Sequence, residues 1–267
     1  MNKIQSEPDN TPRTKLKGHL AGIMLANLGK KYDGFADFYS AKKDDIDKIT
    51  ITWMIDSAIK NNGNTSPVTD SITLKKYPKS PEDARIVAHE IEHLLIWKEG
   101  YPYIMAGNCA DAETCRRLQV LARVIEGTVY EPMVESEIKK YFKKMCADNH
   151  PSAMKGLSKL IENKKKILPE LDDPRKLLYY SCLYVQKRRL LESTCDIGKA
   201  DEYTRRFTIH FGETILPCAE KVLAVIKKNT TNSPESVRQI FESILWNRNC
   251  AFGYRYFEEF DRFVIDQ

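Results

Sequence analysis

The sequence predicts an α+β fold in which helices form the majority. Two stretches before residue 78 alternate apolar and polar residues with the two-residue period of β-strands. From residue 81 onward, apolar residues recur mainly at the three- and four-residue steps of amphipathic helices. With 267 residues, 42% of them hydrophobic, the chain can bury a substantial core as one large domain or two small ones.

The N-terminal region is predicted to contain a loose arm followed by a helix. Residues 1–12 are polar, which is typical of a poorly ordered terminus. A helix is expected to start at Thr11-Pro12. Its apolar face would carry Leu16, Leu20, Ile23, Met24 and Asn27. His19 lies beside that face with no second ligand at metal-binding spacing, so we interpret it as a partly buried structural histidine.

Two strands are predicted between residues 49 and 77. In the first, Ile49, Ile51, Trp53 and Ile55 alternate with other residues, which indicates a half-buried strand. The second runs from Ser71 to Tyr77. Between them, residues 61–64 read Asn-Asn-Gly-Asn, and these residue types tolerate positive φ and favour a loop.

The next predicted helix has a signal at each end. Ser80 is a suitable N-cap, and Pro81 fits the first helical position, where its missing N–H is not needed. Gly100, followed by Tyr101-Pro102, is a stop signal. Between these ends an apolar stripe suited to burial contains Ala84, Val87, Ala88, Ile91, Leu94 and Leu95.

This helix carries the most specific chemical motif of the chain, His-Glu-Ile-Glu-His at residues 89–93. His89 and His93 are four residues apart and therefore stand one turn above each other on the helix. A catalytic zinc ion takes about three protein ligands and leaves one position for water, whose pKa it lowers to roughly 7. The two histidines would supply two ligands, and Glu90 would act as the general base that takes a proton from that water.

The third ligand is not specified by an extended motif. In the metzincin pattern a glycine and a histidine follow HExxH, but here those positions are Ile96 and Glu99, and Glu99 points about 240° around the helix from His93. Peptide deformylases have a similar helix and a cysteine ligand upstream of it. All seven cysteines of this chain lie downstream of His93, so that ligand is missing.

A glutamate on the following helix is the remaining option. Helical spacing continues from Asp111, a plausible N-cap, to Tyr130. Glu126 lies about 80° from the centre of the apolar face, near its border with a cleft. Glu131 lies about 140° away and precedes Pro132, which disfavours helical geometry for it. We prefer Glu126 as the third ligand and keep Glu131 as second choice; an ordinary salt-bridge role for Glu126 is the alternative.

This pattern resembles a known class of enzymes. HExxH on one helix with a downstream glutamate on a second is similar to the gluzincin branch of zinc metallopeptidases. A short sheet before the HExxH helix is also similar to small bacterial regulatory metallopeptidases of the ImmA/IrrE type. The resemblance covers roughly residues 45–135 and implies a zincin-like core in which His89, His93 and Glu126 bind zinc and Glu90 activates water. The sequence departs from the family at Glu126, which lies in IEGTVYEP instead of an NExxAD-type motif.

Two domains are predicted, a zincin-like domain at residues 1–135 and a helical domain at residues 136–267. Strand patterns are absent after Pro132, and the tail FGYRYFEEFDRF is suited to docking on the body of the protein. His150 and His210 have no motif around them and are structural histidines by default. Helical spacing is found at 133–146, 153–166, 174–193, 200–209, 213–228 and 234–247.

Three tyrosines near the motif are candidates for a further catalytic role. Tyr101, Tyr103 and Tyr130 could stabilise the oxyanion that forms when water attacks a carbonyl, which requires a donor about 3 Å from the developing charge. A packed position in the core is the alternative for each of them. Sequence patterns alone do not choose among the three.

Bulk properties limit the partners and the compartment. The polar N-terminus has no apolar segment typical of a secretory signal. The sequence also contains no run of about 18 apolar residues, the length needed to span a membrane. Seven cysteines without a CxxC pair indicate reduced thiols in a cytoplasmic protein. The net charge of +5 is not accompanied by a basic, aromatic-containing face, so no nucleic-acid partner is predicted.

The predicted function is zinc-dependent hydrolysis of peptide or amide bonds by metal-activated water, with Glu90 as the general base. The substrate would be a peptide or protein, and the oligomeric state is left open. The alternative is a non-catalytic regulatory or binding module that keeps the zincin-like helix pair. An open metal position next to Glu90 would distinguish the enzyme, because a structural zinc site has four protein ligands.

Overall fold

The computed structural model describes residues 14–142, 146–246, 253–258 and 261–266, so the predicted arm at residues 1–12 lies outside the described residues. Within these ranges the chain forms eleven α-helices and two small β-sheets. The predicted α+β class with a helical majority is thereby confirmed. The chain divides into two compact units, residues 1–95 and 96–267. These units are defined by packing, and the predicted division after residue 135 stays a prediction.

The first unit combines a four-stranded sheet with helices. Parallel pairing joins β2 to β4, and the other strand pairs are antiparallel, in the order β1-β2-β4-β3. The side chains that are almost fully buried include Met24, Leu28, Phe35, Phe38, Trp53, Ile72 and Leu74. The elements are β1 (Thr14–Lys15), α1 (Gly18–Lys31), α2 (Asp33–Ile46), β2 (Thr52–Ile55), β3 (Gly63–Ser66), β4 (Ser71–Leu74) and the start of α3 (Pro81–Lys98).

Local patterns located most, though not all, of these elements. The observed β2 and β4 lie within the two predicted strands. The predicted helix start at Thr11-Pro12 lies outside the described residues. From Thr14 the chain forms β1, in which Thr14 and Lys15 pair with Ile55 and Met54, and the helix α1 begins at Gly18. The predicted loop at residues 61–64 runs into β3, since antiparallel pairing with β4 extends the backbone there. That pairing makes β3 an edge strand and β4 a central strand.

The ends of α3 agree with the prediction. The Ser80 hydroxyl accepts a hydrogen bond from the Asp83 amide at 3.1 Å, and the Asp83 carboxylate accepts one from the Ser80 amide at 3.0 Å. This reciprocal arrangement is a capping box. Gly100 follows the helix with φ of +88°, a conformation that favours glycine. The predicted stripe is buried, with Ala84, Val87, Ala88, Ile91 and Leu94 all inaccessible to solvent.

The second unit is helical with one three-stranded sheet. In this sheet β7 lies between β5, to which it is parallel, and β6, to which it is antiparallel. The long helix α8 packs against several of the other helices, among them α4, α5, α9 and α10. The elements are β5 (Tyr103–Ala106), α4 (Ala112–Gly127), α5 (Tyr130–Ile138), α6 (Cys146–Glu162), α7 (Lys164–Ile167), a 3-10 helix (Leu168–Asp172), α8 (Pro174–Thr194), α9 (Ile197–Phe211), α10 (Leu216–Asn229), α11 (Pro234–Leu245), β6 (Gly253–Phe257) and β7 (Arg262–Asp266).

The prediction of an all-helical C-terminal half is wrong at the end of the chain. There β6 and β7 form antiparallel partners, and β7 also pairs in parallel with β5. The pairing of β7 with β5 joins residues more than 150 positions apart, which a local sequence pattern does not reveal. The predicted helix at 133–146 is also shorter, since α5 ends at Ile138.

Two further observations concern hydropathy and the cysteines. Among the helices in the described ranges, none combines the length and the apolar character of a membrane span. The prediction that all cysteines are reduced thiols is wrong for one pair, because Cys109 and Cys115 form a disulfide. The turn at Asp111 brings the loop before α4 back to the first turn of that helix, which places the two sulfur atoms together. Cys218 on α10 is a free thiol.

Candidate metal centre

The two motif histidines lie together on α3 as their spacing predicts. The Nε2 atoms of His89 and His93 are 3.1 Å apart, and the two rings meet edge to face with centroids separated by 4.8 Å. Both side chains are half-buried beside the apolar stripe. Residues four apart on a helix stand one turn above each other, so local helix geometry alone accounts for this pair.

A carboxylate joins this pair to form a group that could hold a metal ion. One ligand atom from each of His89, His93 and Glu131 lies within 4.8 Å of the other two. Glu131 is half-buried in the first turn of α5, although it precedes Pro132. Proline is tolerated in the first turn of a helix because the amide it lacks has no partner there. The expectation that Pro132 keeps Glu131 out of helical geometry is therefore wrong.

Glu126, the preferred third ligand, has a different environment. It is on α4, and its Oε1 accepts a hydrogen bond from the Ile104 amide of β5 at 2.6 Å. Burial raises the pKa of this carboxyl to about 8, although the bond from Ile104 and the charge of Arg123 act in the opposite direction. The structure brings Glu131, and not Glu126, into the group with the histidines.

The end of α4 explains why helical angles favour Glu126 over Glu131 as the third ligand. The angles of about 80° and 140° assume one continuous helix through residue 131. In the structure α4 ends at Gly127, and α5 begins at Tyr130, so residues 126 and 131 belong to two separate helices. Gly127 allows close packing at this point, because a Cβ there would lie 2.5 Å from the Gln186 side chain of α8.

Glu90 is buried next to the edge strand β3. Its Oε2 accepts a hydrogen bond of 2.6 Å from the Thr65 hydroxyl, which also lies 3.1 Å from the Glu90 carbonyl oxygen. A Cβ on Gly63 would lie 2.5 Å from Glu90 Oε1, so only glycine leaves this space to the carboxylate. The sequence alone predicts neither the Thr65 contact nor the Gly63 contact with Glu90. Its one relevant feature is the glycine in the predicted loop at residues 61–64, which favours a turn there.

Among the three tyrosine candidates, Tyr130 has a hydroxyl group that is already hydrogen-bonded inside the protein. Tyr130 is buried, and its hydroxyl donates a hydrogen bond to the carbonyl oxygen of Pro102. Burial raises the pKa of Tyr130 well above its usual value, and burial also raises the pKa of Tyr101. Tyr130 packs edge to face on Tyr101, Trp97 and Phe241, so it matches the alternative interpretation as a core residue.

The other histidines do not join the candidate metal centre. His150 on α6 forms an ion-pair contact of 3.1 Å with Glu202 on α9. His19 is exposed on α1, which contradicts the expectation that it is partly buried. Neither His210 nor these two residues belongs to the group that could hold a metal ion in the described part of the chain.

Comparison with known proteins adds no assignment. The sequence matches no protein-family model, and no curated protein or solved structure matches it either. The resemblance to gluzincins therefore stays an expectation from the motif residues.

Proposed function

We propose that this protein is a zinc-dependent peptidase in which His89, His93 and Glu131 hold the metal ion and Glu90 is the general base. The observation that carries the proposal is the grouping of two imidazoles and one carboxylate within 4.8 Å, next to a buried glutamate on the same helix turn. Three protein ligands of these types are what catalytic zinc sites of the two-histidine, one-glutamate kind require.

The donor set fits zinc in its chemistry and in its spacing. Two nitrogen ligands of a tetrahedral zinc ion, each about 2.0–2.1 Å from the metal, lie roughly 3.3 Å apart. The two Nε2 atoms are 3.1 Å apart, close to that value. Magnesium and calcium prefer oxygen ligands, so a site with two imidazoles favours zinc over them.

Each side chain would have a separate task during hydrolysis. When bound, the zinc ion supplies Lewis acidity that allows water to act as a nucleophile near neutral pH. Glu90 would accept the proton that this water loses and pass it to the leaving amine. The burial of Glu90 excludes bulk water from its carboxylate, and the hydroxyl of Thr65 satisfies one of the two oxygens.

A peptide is the substrate class that the neighbouring strand favours. Among the described strands, β3 pairs only with β4, so its second edge can pair with an additional strand. Thr65 on β3 contacts Glu90 directly, which brings that edge close to the proposed base. A peptide in extended conformation along β3 would therefore run beside Glu90. By contrast, β4 is central in the sheet and has both edges paired.

Zinc analysis tests the ligand assignment. We expect about one zinc ion per chain in the purified protein and in Glu126→Gln, and a loss of zinc in His89→Ala and in Glu131→Gln. The matched pair of glutamate variants distinguishes the two proposed third ligands. A wild-type protein that takes up no zinc would contradict the proposal and favour a binding module without a metal.

Peptide hydrolysis tests the role of Glu90. We expect Glu90→Gln to keep the zinc ion and to lose roughly 100- to 10,000-fold in kcat, the range typical of a lost general acid–base group. Turnover of a mixture of unstructured peptides, followed by mass spectrometry with and without a chelator, provides the measurement. Unchanged turnover in Glu90→Gln would refute the mechanism, and zinc without turnover in the wild type would favour the non-catalytic module.

A further inference from the structure

Two residues of β3 share one face and both meet the carboxylate of Glu90. Successive side chains of a strand point to opposite faces, so positions 63 and 65 lie on the same face. The Thr65 hydroxyl is 2.6 Å from Glu90 Oε2, and a Cβ on Gly63 would be 2.5 Å from Oε1. One oxygen of the carboxylate is thus held by a hydroxyl, and the other occupies the space left by a missing side chain.

We propose that Thr65 is a positioning residue for Glu90 and that Gly63 provides the space in which the second carboxylate oxygen works. This inference rests on the proposed function, because it assigns Glu90 the part of general base. It adds a determinant of catalytic geometry that lies outside the HExxH motif, on a strand 25 residues earlier in the chain.

The physical reason is that a glutamate side chain has several rotatable bonds and is costly to bury as an ion. An unpaired buried charge is strongly disfavoured, whereas a hydrogen bond to a charged oxygen is short and about twice as strong as a neutral one. The 2.6 Å separation lies within the range of roughly 2.5–2.7 Å for such bonds. With Oε2 held by Thr65, Oε1 would be the oxygen that accepts the proton in the proposed mechanism.

Gly63 leaves space for the Glu90 carboxylate because it has no side chain. Any residue with a Cβ at this position would overlap Oε1, Cδ and Cγ of Glu90, with separations of 2.5 to 2.9 Å. The carboxylate is the flexible end of its side chain, so it would move while the strand stays in place. A displacement of about 1 Å of a catalytic group can cost on the order of 100-fold in rate. Gly63→Ala should therefore reduce kcat while the protein stays folded.

Steady-state kinetics with a pair of threonine variants tests the positioning role. Thr65→Val removes the hydroxyl and keeps the shape, and we expect kcat to fall roughly 10- to 100-fold with KM and zinc content nearly unchanged. Thr65→Ser keeps the hydroxyl and should retain kcat to within about threefold. Thr73→Val is the matched control, since Thr73 pairs with Asn64 and so lies on the opposite face of the sheet. Equal losses in Thr65→Val and Thr65→Ser would overturn the proposal, as would no loss in Thr65→Val.

A second measurement does not depend on turnover. Urea denaturation of zinc-free Thr65→Val, Glu90→Ala and the double variant forms a cycle that reports whether the two side chains interact. We expect the midpoint shift of the double variant to be clearly smaller than the sum of the two single shifts. Additive shifts would overturn the contact whatever the activity. Coupled shifts in a protein without zinc-dependent turnover would instead refute the proposed function and with it the catalytic role of Thr65.

Discussion

The most informative perturbation is Glu126→Gln, which replaces a titratable carboxyl on α4 by an amide that cannot ionise. Glu126 is half-buried on α4 and accepts a hydrogen bond from the Ile104 amide. Burial raises the pKa of its carboxyl to about 8, from a usual value of 4.5. The folded protein therefore keeps a proton on Glu126 at pH values where the unfolded chain has lost it.

Proton linkage gives the sign and the size of the pH dependence of the free energy of unfolding. Below pH 4.5 both states are protonated and Glu126 contributes no pH dependence. Between pH 4.5 and about 8 the unfolded state binds fewer protons than the folded state, so the free energy of unfolding falls as pH rises. Each pH unit costs about 1.4 kcal/mol, and the full window amounts to at most roughly 5 kcal/mol. Glutamine cannot ionise, so the variant lacks this decline.

Urea unfolding at pH 5, 6, 7 and 8 in the presence of a chelator measures the effect. We expect the stability of Glu126→Gln relative to the wild type to increase by about 1 kcal/mol or more per pH unit across this range. The histidine titrations are common to both proteins and cancel in the difference. As a control, Glu220→Gln removes an exposed carboxylate on α10 and should stay within about 0.5 kcal/mol of the wild type.

A flat difference between Glu126→Gln and the wild type from pH 5 to 8 would show that this carboxyl is not buried in its neutral form. The same variant also addresses the metal centre. If Glu126→Gln lost zinc while Glu131→Gln kept it, the assignment of Glu131 as the third ligand would be wrong.

Two further predictions concern the elements around the candidate centre. Burial raises the pKa of Asp83, but hydrogen bonds from the Lys79 and Ser80 amides outweigh burial and lower it. The contribution of Asp83 to stability is therefore present above about pH 4 and is lost in acid. Asp83→Ala should thus lower the free energy of unfolding by about 1–2 kcal/mol at pH 7 with zinc content unchanged, and an equal loss at pH 3 would contradict the capping role. Closing the short loop between Cys109 and Cys115 is worth roughly 2 kcal/mol, so Cys115→Ser should lower the stability of the oxidised protein by that amount. Cys218→Ser, which removes a free thiol, is the control, and equal stability with and without reductant in the wild type would refute the bond.

Elements with local signals were predicted well. The N-caps at Ser80 and Asp111 and the glycine after α3 each act within a few residues of a helix end. Such signals can be identified without knowledge of the rest of the chain, because the hydrogen bonds involved join residues three or four positions apart. The strands β2 and β4 were found for a similar reason, since alternation is visible in a short window.

Elements that depend on distant partners were missed. The strand β3 contains glycine and asparagine, which are depleted in strands, and it is extended because β4 pairs with it. The strand β5 pairs with β7, about 160 residues later. The residues of β5 do not indicate which distant segment pairs with it, and the same holds for β7. The sequence therefore does not predict this sheet.

The candidate metal centre shows the same division. By itself the sequence determined that His89 and His93 lie on one face of a capped helix with Glu90 between them, because helical periodicity and caps are local properties. Only the tertiary structure decided which carboxylate approaches the imidazoles and which hydroxyl holds Glu90. Those choices depend on where α4 ends and on which strand pairs with β4, and both result from packing between residues that are far apart in the chain.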